Sequence, residues 1–216
     1  MFKNEHAQKE RATESRRERN KREKLERIEQ VARRQFKERG YGQTTTRDIA
    51  DAAEIGTGTL FVYFPEKLDL LLHIVQQDLV SITTRELDAL PGDLPLVEAC
   101  MRVFAPVLDY WEEDLERARH FARGLLFTTP ERRMIMSAVT VGFMQRLGQV
   151  AAAGIERGEI RADAPIPLVG HQLFGVYFFG FMNWLSGFYD RPGLEVHLRM
   201  GFELLVRGLQ GETNDR

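Results

Sequence analysis

The sequence predicts an all-α chain of about nine helices, with a three-helix head at the N-terminus and a larger helical body behind it. Three observations lead there. Apolar residues recur every three or four positions along almost the whole chain, and no stretch alternates apolar with polar as a half-buried strand would. Turn-forming residues interrupt this pattern at intervals suited to helices, and no unit of 20–50 residues repeats, which argues against a solenoid. The 216 residues are 43% apolar and 29% charged, enough to bury a core and too apolar for a disordered chain.

Each element has its own warrant. Leu25, Ile28, Val31, Ala32 and Phe36 form one helical stripe within residues 22–39, which Gly40 closes. Thr45 followed by Asp48 reads as a capping box with Asp in place of Glu, opening a short helix with Ile49, Ala52 and Ala53 inward. A second short helix runs from Thr57 to Phe64, stopped by Pro65. Leu68, Leu71, Leu72, Val75 and Leu79 mark one side of a helix from Glu66 to about Leu87. After Pro91-Gly92-Asp93, helices are expected at 95–110, 112–126, 130–158, 165–189 and 193–209, with Arg191-Pro192-Gly193 as the last break.

Charge is unevenly spread. The net charge is −2, yet residues 1–40 hold 14 Lys/Arg against 8 Asp/Glu. A basic arm, residues 1–21, suggests a polyanionic partner, although interleaved Glu also suits a solvated helix. Arg11, Arg16, Arg17, Arg19 and Lys21 of this arm could follow phosphates or serve as a tail of non-specific attraction. The lone Cys100 excludes an intrachain disulfide framework and a multi-cysteine zinc site. No signal-peptide apolar region opens the chain, so a cytoplasmic location is the default expectation. No nucleophile elbow, P-loop, dinucleotide fingerprint or metal-spaced His/Cys set occurs, so no enzyme, cofactor or metal site is expected. Glu112 and Glu113 diverge on a helix and make no carboxylate dyad.

Residues 45–64 describe two short helices joined by a tight turn, the geometry of a helix-turn-helix. The helix at 22–39 would brace them, since short helices are marginal alone. Residues 24–71, KLERIEQVARRQFKERGYGQTTTRDIADAAEIGTGTLFVYFPEKLDLL, resemble the tetracycline-repressor (TetR/AcrR) family of bacterial transcription regulators. The resemblance rests on the run GY-x-x-TT-x-RDIA-x-AA followed by GT-L-F-x-YF-x-x-K and covers about a third of the chain. It implies a DNA-binding domain at 22–67 and an effector-binding and dimerisation domain at 68–216. Thr45 and Thr46 would meet phosphate at the first helix of the motif, and Arg47 would reach phosphate or a base edge. Thr57, Gly58 and Thr59 would open the recognition helix, and Tyr63 and Lys67 correspond to phosphate contacts. Three positions depart from the family pattern: Phe61 replaces the usual Tyr, Gly56 stands where Ser or Thr often caps, and Glu54 stands where many members have Gly.

Fourteen of the 21 aromatic residues lie between 104 and 189, which suits either an apolar pocket or a solid core with a subunit interface. The family resemblance implies a small hydrophobic effector here. Candidate liners are Phe104, Leu108, Trp111, Phe121, Phe127, Phe143, Met144, Tyr177 and Phe181, with Asn183, His171 and Gln145 as polar anchors. Residues 164–189 carry no Asp, Glu, Lys or Arg, but His171, Gln172, Asn183 and Ser186 argue for a buried subunit interface over a membrane span. Val169, Val176, Gly180 and Gly187, with Leu198, Phe202 and Leu205, are the expected homodimer contacts, residues 165–209 forming a four-helix bundle with their twofold mate. The expected function is a homodimeric regulator, a repressor released from a palindromic operator on double-stranded DNA by a small hydrophobic ligand. The alternative is a helical interaction or membrane-associated module without specific DNA binding.

Overall fold

The computed structural model describes residues 16–126 and 129–210, without the side chains of Glu131 and Ile135. Among the described residues it is built from nine helices and no strands: α1 (Arg16–Gln43), α2 (Thr46–Ala52), α3 (Thr57–Tyr63), α4 (Lys67–Asp88), α5 (Leu96–Glu112), α6 (Leu115–Leu126), α7 (Pro130–Glu156), α8 (Ile166–Leu185) and α9 (Arg191–Gly208). The chain divides into two compact units, and the division falls within α4, between Ile74 and Val75.

In the first unit, α1 begins at Arg16, six residues before the expected start. The added turns are exposed and carry good helix formers, with Arg19–Glu23 and Arg22–Glu26 spaced for i,i+4 pairing at 3.9 and 3.5 Å. Helical geometry breaks at Gly40, where φ is 79° and ψ is 157°, a conformation that glycine adopts without steric cost. Ile28, Val31, Ala32 and Phe36 are buried as their spacing predicted, and Ile49, Ala50, Ala53, Leu60 and Phe64 join them in the head core. The capping box before α2 forms in full. Thr45 Oγ1 accepts from the Asp48 amide at 3.1 Å, and Asp48 Oδ2 accepts from the Thr45 amide at 3.0 Å. In the turn to α3, Glu54 takes φ 54°, a left-handed conformation that an L side chain occupies at a cost.

In the second unit, α8 packs against α7 and α9 through small residues. A Cβ at Gly170 would lie 2.3 Å from the Met144 carbonyl oxygen, and one at Gly201 would lie 2.5 Å from Val176. These helices can therefore approach only because glycine stands at the crossings. Between them and α5 sits a core of Val103, Phe104, Leu108, Trp111, Leu147, Leu173, Phe181, Leu194, Leu198 and Phe202. Cys100 is fully buried there, and desolvation pushes its thiol up to about 12.

Two expected boundaries move. Residues 191–193 are the first turn of α9 and not a break: Asp190 caps it by accepting from the Gly193 amide at 2.8 Å, and proline is tolerated that early because its missing N–H has no partner to lose. The Arg191 side chain then ties α9 to α5, at 2.7 Å from Asp109 and 3.0 Å from Glu112. The helix expected over 165–189 ends at Leu185, and Gly187 turns the chain with φ 82°. No helix among the described residues is long and apolar enough to cross a membrane.

Candidate functional site

The head presents α3 on a scaffold fastened by a buried polar network. Thr44 is wholly buried, and its hydroxyl lies 3.2 Å from the Gln35 carbonyl and 2.9 Å from the Gly40 carbonyl. Gln35 Nε2 reaches across to donate to the Asp48 carbonyl at 3.1 Å, joining α1 to α2. Lys67 Nζ donates to the carbonyls of Tyr41 and Thr44, both at 2.8 Å, and sits 4.2 Å from the centre of the Tyr41 ring. These bonds collect carbonyls that the break at Gly40 leaves without helical partners. From α4, His73 meets Glu29 of α1 at 2.7 Å, and from α3, the Tyr63 hydroxyl donates to the Lys21 carbonyl at 3.3 Å.

On this scaffold the expected DNA-contacting residues divide into two groups. Arg47 is exposed and only loosely opposed by Asp51 at 3.8 Å. Gly58 is exposed with open space beyond its Cα, and Thr46, Thr57 and Thr59 are half-buried at the surface. Thr45, Tyr63 and Lys67 also hold the head together, since Thr45 is the cap and the other two make the bonds just described. The Thr45–Asp48 hydrogen bond also holds the Asp48 carboxyl below its ordinary value. Sequence reasoning missed Val62, which is 83% exposed on α3. With Phe61, also exposed, it gives α3 an uncharged outer face of methyl, ring and hydroxyl groups. The arm residues Arg16, Arg17, Arg19 and Lys21 are exposed on α1, and Arg11 lies outside the described residues.

In the body, α4–α8 enclose a cavity of about 320 Å³. Six expected liners face it: Phe104, Trp111, Phe121, Phe143, Tyr177 and Phe181. Their rings form a connected cluster, with Phe104 stacked on Tyr177 at 4.5 Å and Trp111 against Phe121 at 5.0 Å and Phe181 at 5.1 Å. Trp111 Nε1 donates to the Tyr177 hydroxyl at 3.0 Å, and burial raises the pKa of that phenol.

Other expected contacts are corrected. Leu108 is buried in the core and does not line the cavity, although it shares a face of α5 with Phe104 and Trp111. Met144 lines a separate shallow groove with Met136 and Thr140. The Asn183 amide donates to the Phe179 carbonyl of its own helix at 2.8 Å, and the His171 ring nitrogen meets the Pro167 carbonyl at 2.6 Å, so neither anchors the cavity. Gln145 is exposed, and Phe127 lies outside the described residues. Sequence reasoning missed the wall supplied by α4: Gln76, Leu79, Val80, Thr83 and Thr84. Arg146, the only charged residue among the described liners, was also missed. Its guanidinium meets Asp88 at 2.6 Å and also borders a neighbouring groove with Gln149 and Arg157.

The expected dimer contacts need the largest correction. Val169, Gly180, Leu198 and Phe202 are buried inside the chain, and Gly180 is where α9 closes on α8. Gly187 lies beyond the end of α8, while Val176 and Leu205 are half-buried, Val176 against Gly201. An apolar helix bears no sign of which side faces its own chain, and the small residues serve the internal crossings. The apolar side chains left exposed are Leu168 and Phe179 on α8 and Val196, Met200 and Leu204 on α9.

Comparison with known proteins agrees with this architecture. Residues 28–74 match the family model of bacterial regulatory proteins, tetR family. The chain is 24% identical over 177 residues to the fatty acid metabolism regulator protein of Bacillus subtilis, covering 81% of this chain and 90% of that protein. It is 29% identical over 175 residues to the HTH-type transcriptional repressor KstR2 of Mycobacterium tuberculosis, covering 76% and 80%. A crystal structure of Thermus thermophilus FadR, a TetR-family repressor in complex with lauroyl-CoA, superimposes with a TM-score of 0.72 at 24% identity, over 88% of this chain and 97% of that one. The helix-turn-helix on its polar brace, the family model matched over residues 28–74 and these relatives together make the chain similar to the tetR family of transcriptional regulators.

Proposed function

We propose that this regulator is a homodimeric, non-enzymatic, cytoplasmic repressor that leaves a palindromic operator when a long-chain acyl thioester fills the body cavity. Residues 22–67 read DNA, and residues 68–216 bind the effector and dimerise. The observation that carries the reading is the aromatic cavity of about 320 Å³ with one guanidinium, Arg146, among its liners. An apolar wall beside a cation suits an amphiphile with an apolar tail and an anionic head. The adjoining groove adds Arg157, so a polyphosphate head would meet two guanidiniums outside the cavity. The lauroyl-CoA bound by the Thermus thermophilus relative has this chemistry.

Helix α4 supplies Lys67 and His73 to the head and Gln76 to Thr84 to the cavity wall. A ligand pressing on α4 therefore acts on a helix that also holds the reading head. Release requires that the ligand bind the DNA-free state more tightly, since equal affinity for both states shifts nothing. Leu168, Phe179, Val196, Met200 and Leu204 form the apolar face that we assign to the twofold mate. A palindromic operator then follows from the twofold symmetry of the pair, with half-sites one helical turn or a multiple of it apart.

Selection from a random-duplex pool at fixed salt should enrich a two-half-site palindrome. Lauroyl-CoA should then abolish the shifted band on a gel, whereas CoA alone should leave it. An enriched site that is indifferent to acyl thioesters of every chain length would remove the effector reading and keep the operator. Leu204→Glu should yield a folded monomer by light scattering, and a dimer persisting in that variant would reject the assigned face.

A further inference from the structure

The wall of the body cavity is apolar apart from Gln76, Arg146, three threonines, the Tyr177 phenol and the Trp111 indole N–H. Two of the threonines spend their hydroxyls on their own helices: Thr83 donates to the Leu79 carbonyl at 2.7 Å, and Thr140 to the Met136 carbonyl at 3.1 Å. Tyr177 differs. It is 6% exposed, and its oxygen is an acceptor, taking the Trp111 indole N–H at 3.0 Å. A hydroxyl that accepts still has a hydrogen to give. Among the described residues the Tyr177 hydroxyl donates to none.

Buried donors in native proteins almost always find an acceptor, so one carried by a residue that lines an apolar cavity points to a group that enters it. The phenol is also held in place. Its ring stacks on Phe104 at 4.5 Å with the planes 14° apart and on Phe181 at 5.8 Å with the planes 16° apart. Burial raises its pKa, so the hydrogen stays in place at neutral pH.

We propose that Tyr177 donates a hydrogen bond to the thioester carbonyl oxygen of the bound effector and is the residue that makes the cavity specific for an acyl group. The proposal rests on the acyl-thioester reading above. A saturated acyl chain offers no acceptor along its length, and the carbonyl is the first oxygen bonded to it. The phosphates of the head are matched by guanidinium and not by a phenol in an aromatic wall. Trp111 acts as a positioning residue, because its N–H occupies the oxygen and directs the phenol hydrogen elsewhere. An amphiphile with the same tail but no carbonyl leaves Tyr177 without its partner and binds more weakly.

The test uses the full chain with lauroyl-CoA and its thioether analogue, dodecyl-CoA, measured by titration calorimetry. The wild-type protein is expected to bind the thioester about tenfold more tightly than the thioether, the scale of one buried hydrogen bond. Tyr177→Phe should bind the two alike. Infrared spectroscopy with a carbon-13 label in the carbonyl should find its stretch lowered in the wild-type complex, relative to an apolar solvent. That measurement needs no variant, so it stands even if the Trp111 N–H orphaned by Tyr177→Phe prevents folding. Lauroyl-CoA bound without preference over the thioether, an unshifted carbonyl stretch, or a preference that survives in Tyr177→Phe would each overturn the hydrogen bond and leave the acyl-thioester reading intact. No binding of lauroyl-CoA at all would overturn that reading, and this one with it.

Discussion

The head and the body solve the packing problem by different means. The head has short helices, and its ends are tied by polar groups: Thr44 and Gln35 are buried and bonded, and Lys67 gathers two carbonyls at 2.8 Å. The body has long helices, and its interior is ring against ring, from Phe143 through Phe104 and Tyr177 to Phe181 and Trp111. A reading head has to hold exposed groups in register, which directional hydrogen bonds do well. A cavity for an apolar ligand has to leave space without stranding polar groups, which aromatic walls do well. Precision in the head and spare volume in the body thus come from different chemistry.

The largest test of this contrast is Phe104→Ala. It removes a wholly buried ring from the body and should cost about 3–5 kcal/mol of stability. Both tryptophans, Trp111 and Trp184, lie in the body, so fluorescence-detected denaturant unfolding reports the change there. A loss below about 1 kcal/mol would mean that the rings fill space interchangeably and that the body collapses around the gap.

The corresponding change in the head is Thr44→Val, which keeps the shape and deletes a buried hydroxyl. It should cost about 1–2 kcal/mol and speed amide exchange at the start of α2. Unchanged exchange would shift the weight of the brace to Lys67. Glu54→Gly works in the opposite direction. Relieving a left-handed residue should stabilise the head by about 1 kcal/mol, read from the same exchange rates. A loss of stability would show that the Glu54 side chain does something in the turn besides occupy it.

The smallest effect is that of pH at Asp48. Its folded pKa is lowered from 3.8, chiefly by the Thr45 hydroxyl, so its contribution is complete above the unfolded value. It is lost as pH falls below that value and through the lower folded one. Acid titration should therefore loosen the N-terminus of α2 only under strongly acidic conditions, and Thr45→Ala, which keeps the bond from the residue-45 amide, should weaken that transition and move it to higher pH. A transition unchanged in Thr45→Ala would assign it to another carboxylate.

The head was legible because its determinants are close in sequence. Thr45 and Asp48 are three residues apart, and Gly40 ends the stripe that Phe36 closes, so the caps and breaks could be read directly. Lys67 was harder: its residue type fits a phosphate contact, and only folding brings the Tyr41 and Thr44 carbonyls to it across 26 and 23 residues. In the body, aromatic density identified six liners, yet Gln76, Thr83 and Arg146 carry no local sign that they share a cavity. For α8 and α9, both sides are apolar, so spacing alone could not separate the buried Leu198 and Phe202 from the exposed Val196, Met200 and Leu204.

The sequence by itself determined the helical class, the order of the elements and the position of the reading motif. Those follow from period, caps and breakers, which act over a few residues. Tertiary structure decided which face of each apolar helix turns inward, which hydroxyl is left with a hydrogen to give, and where a cavity opens. Those depend on volumes and partners supplied by chain segments far apart in sequence. At Gly170, Gly180 and Gly201 the deciding quantity is whether one more carbon would fit against a neighbouring helix.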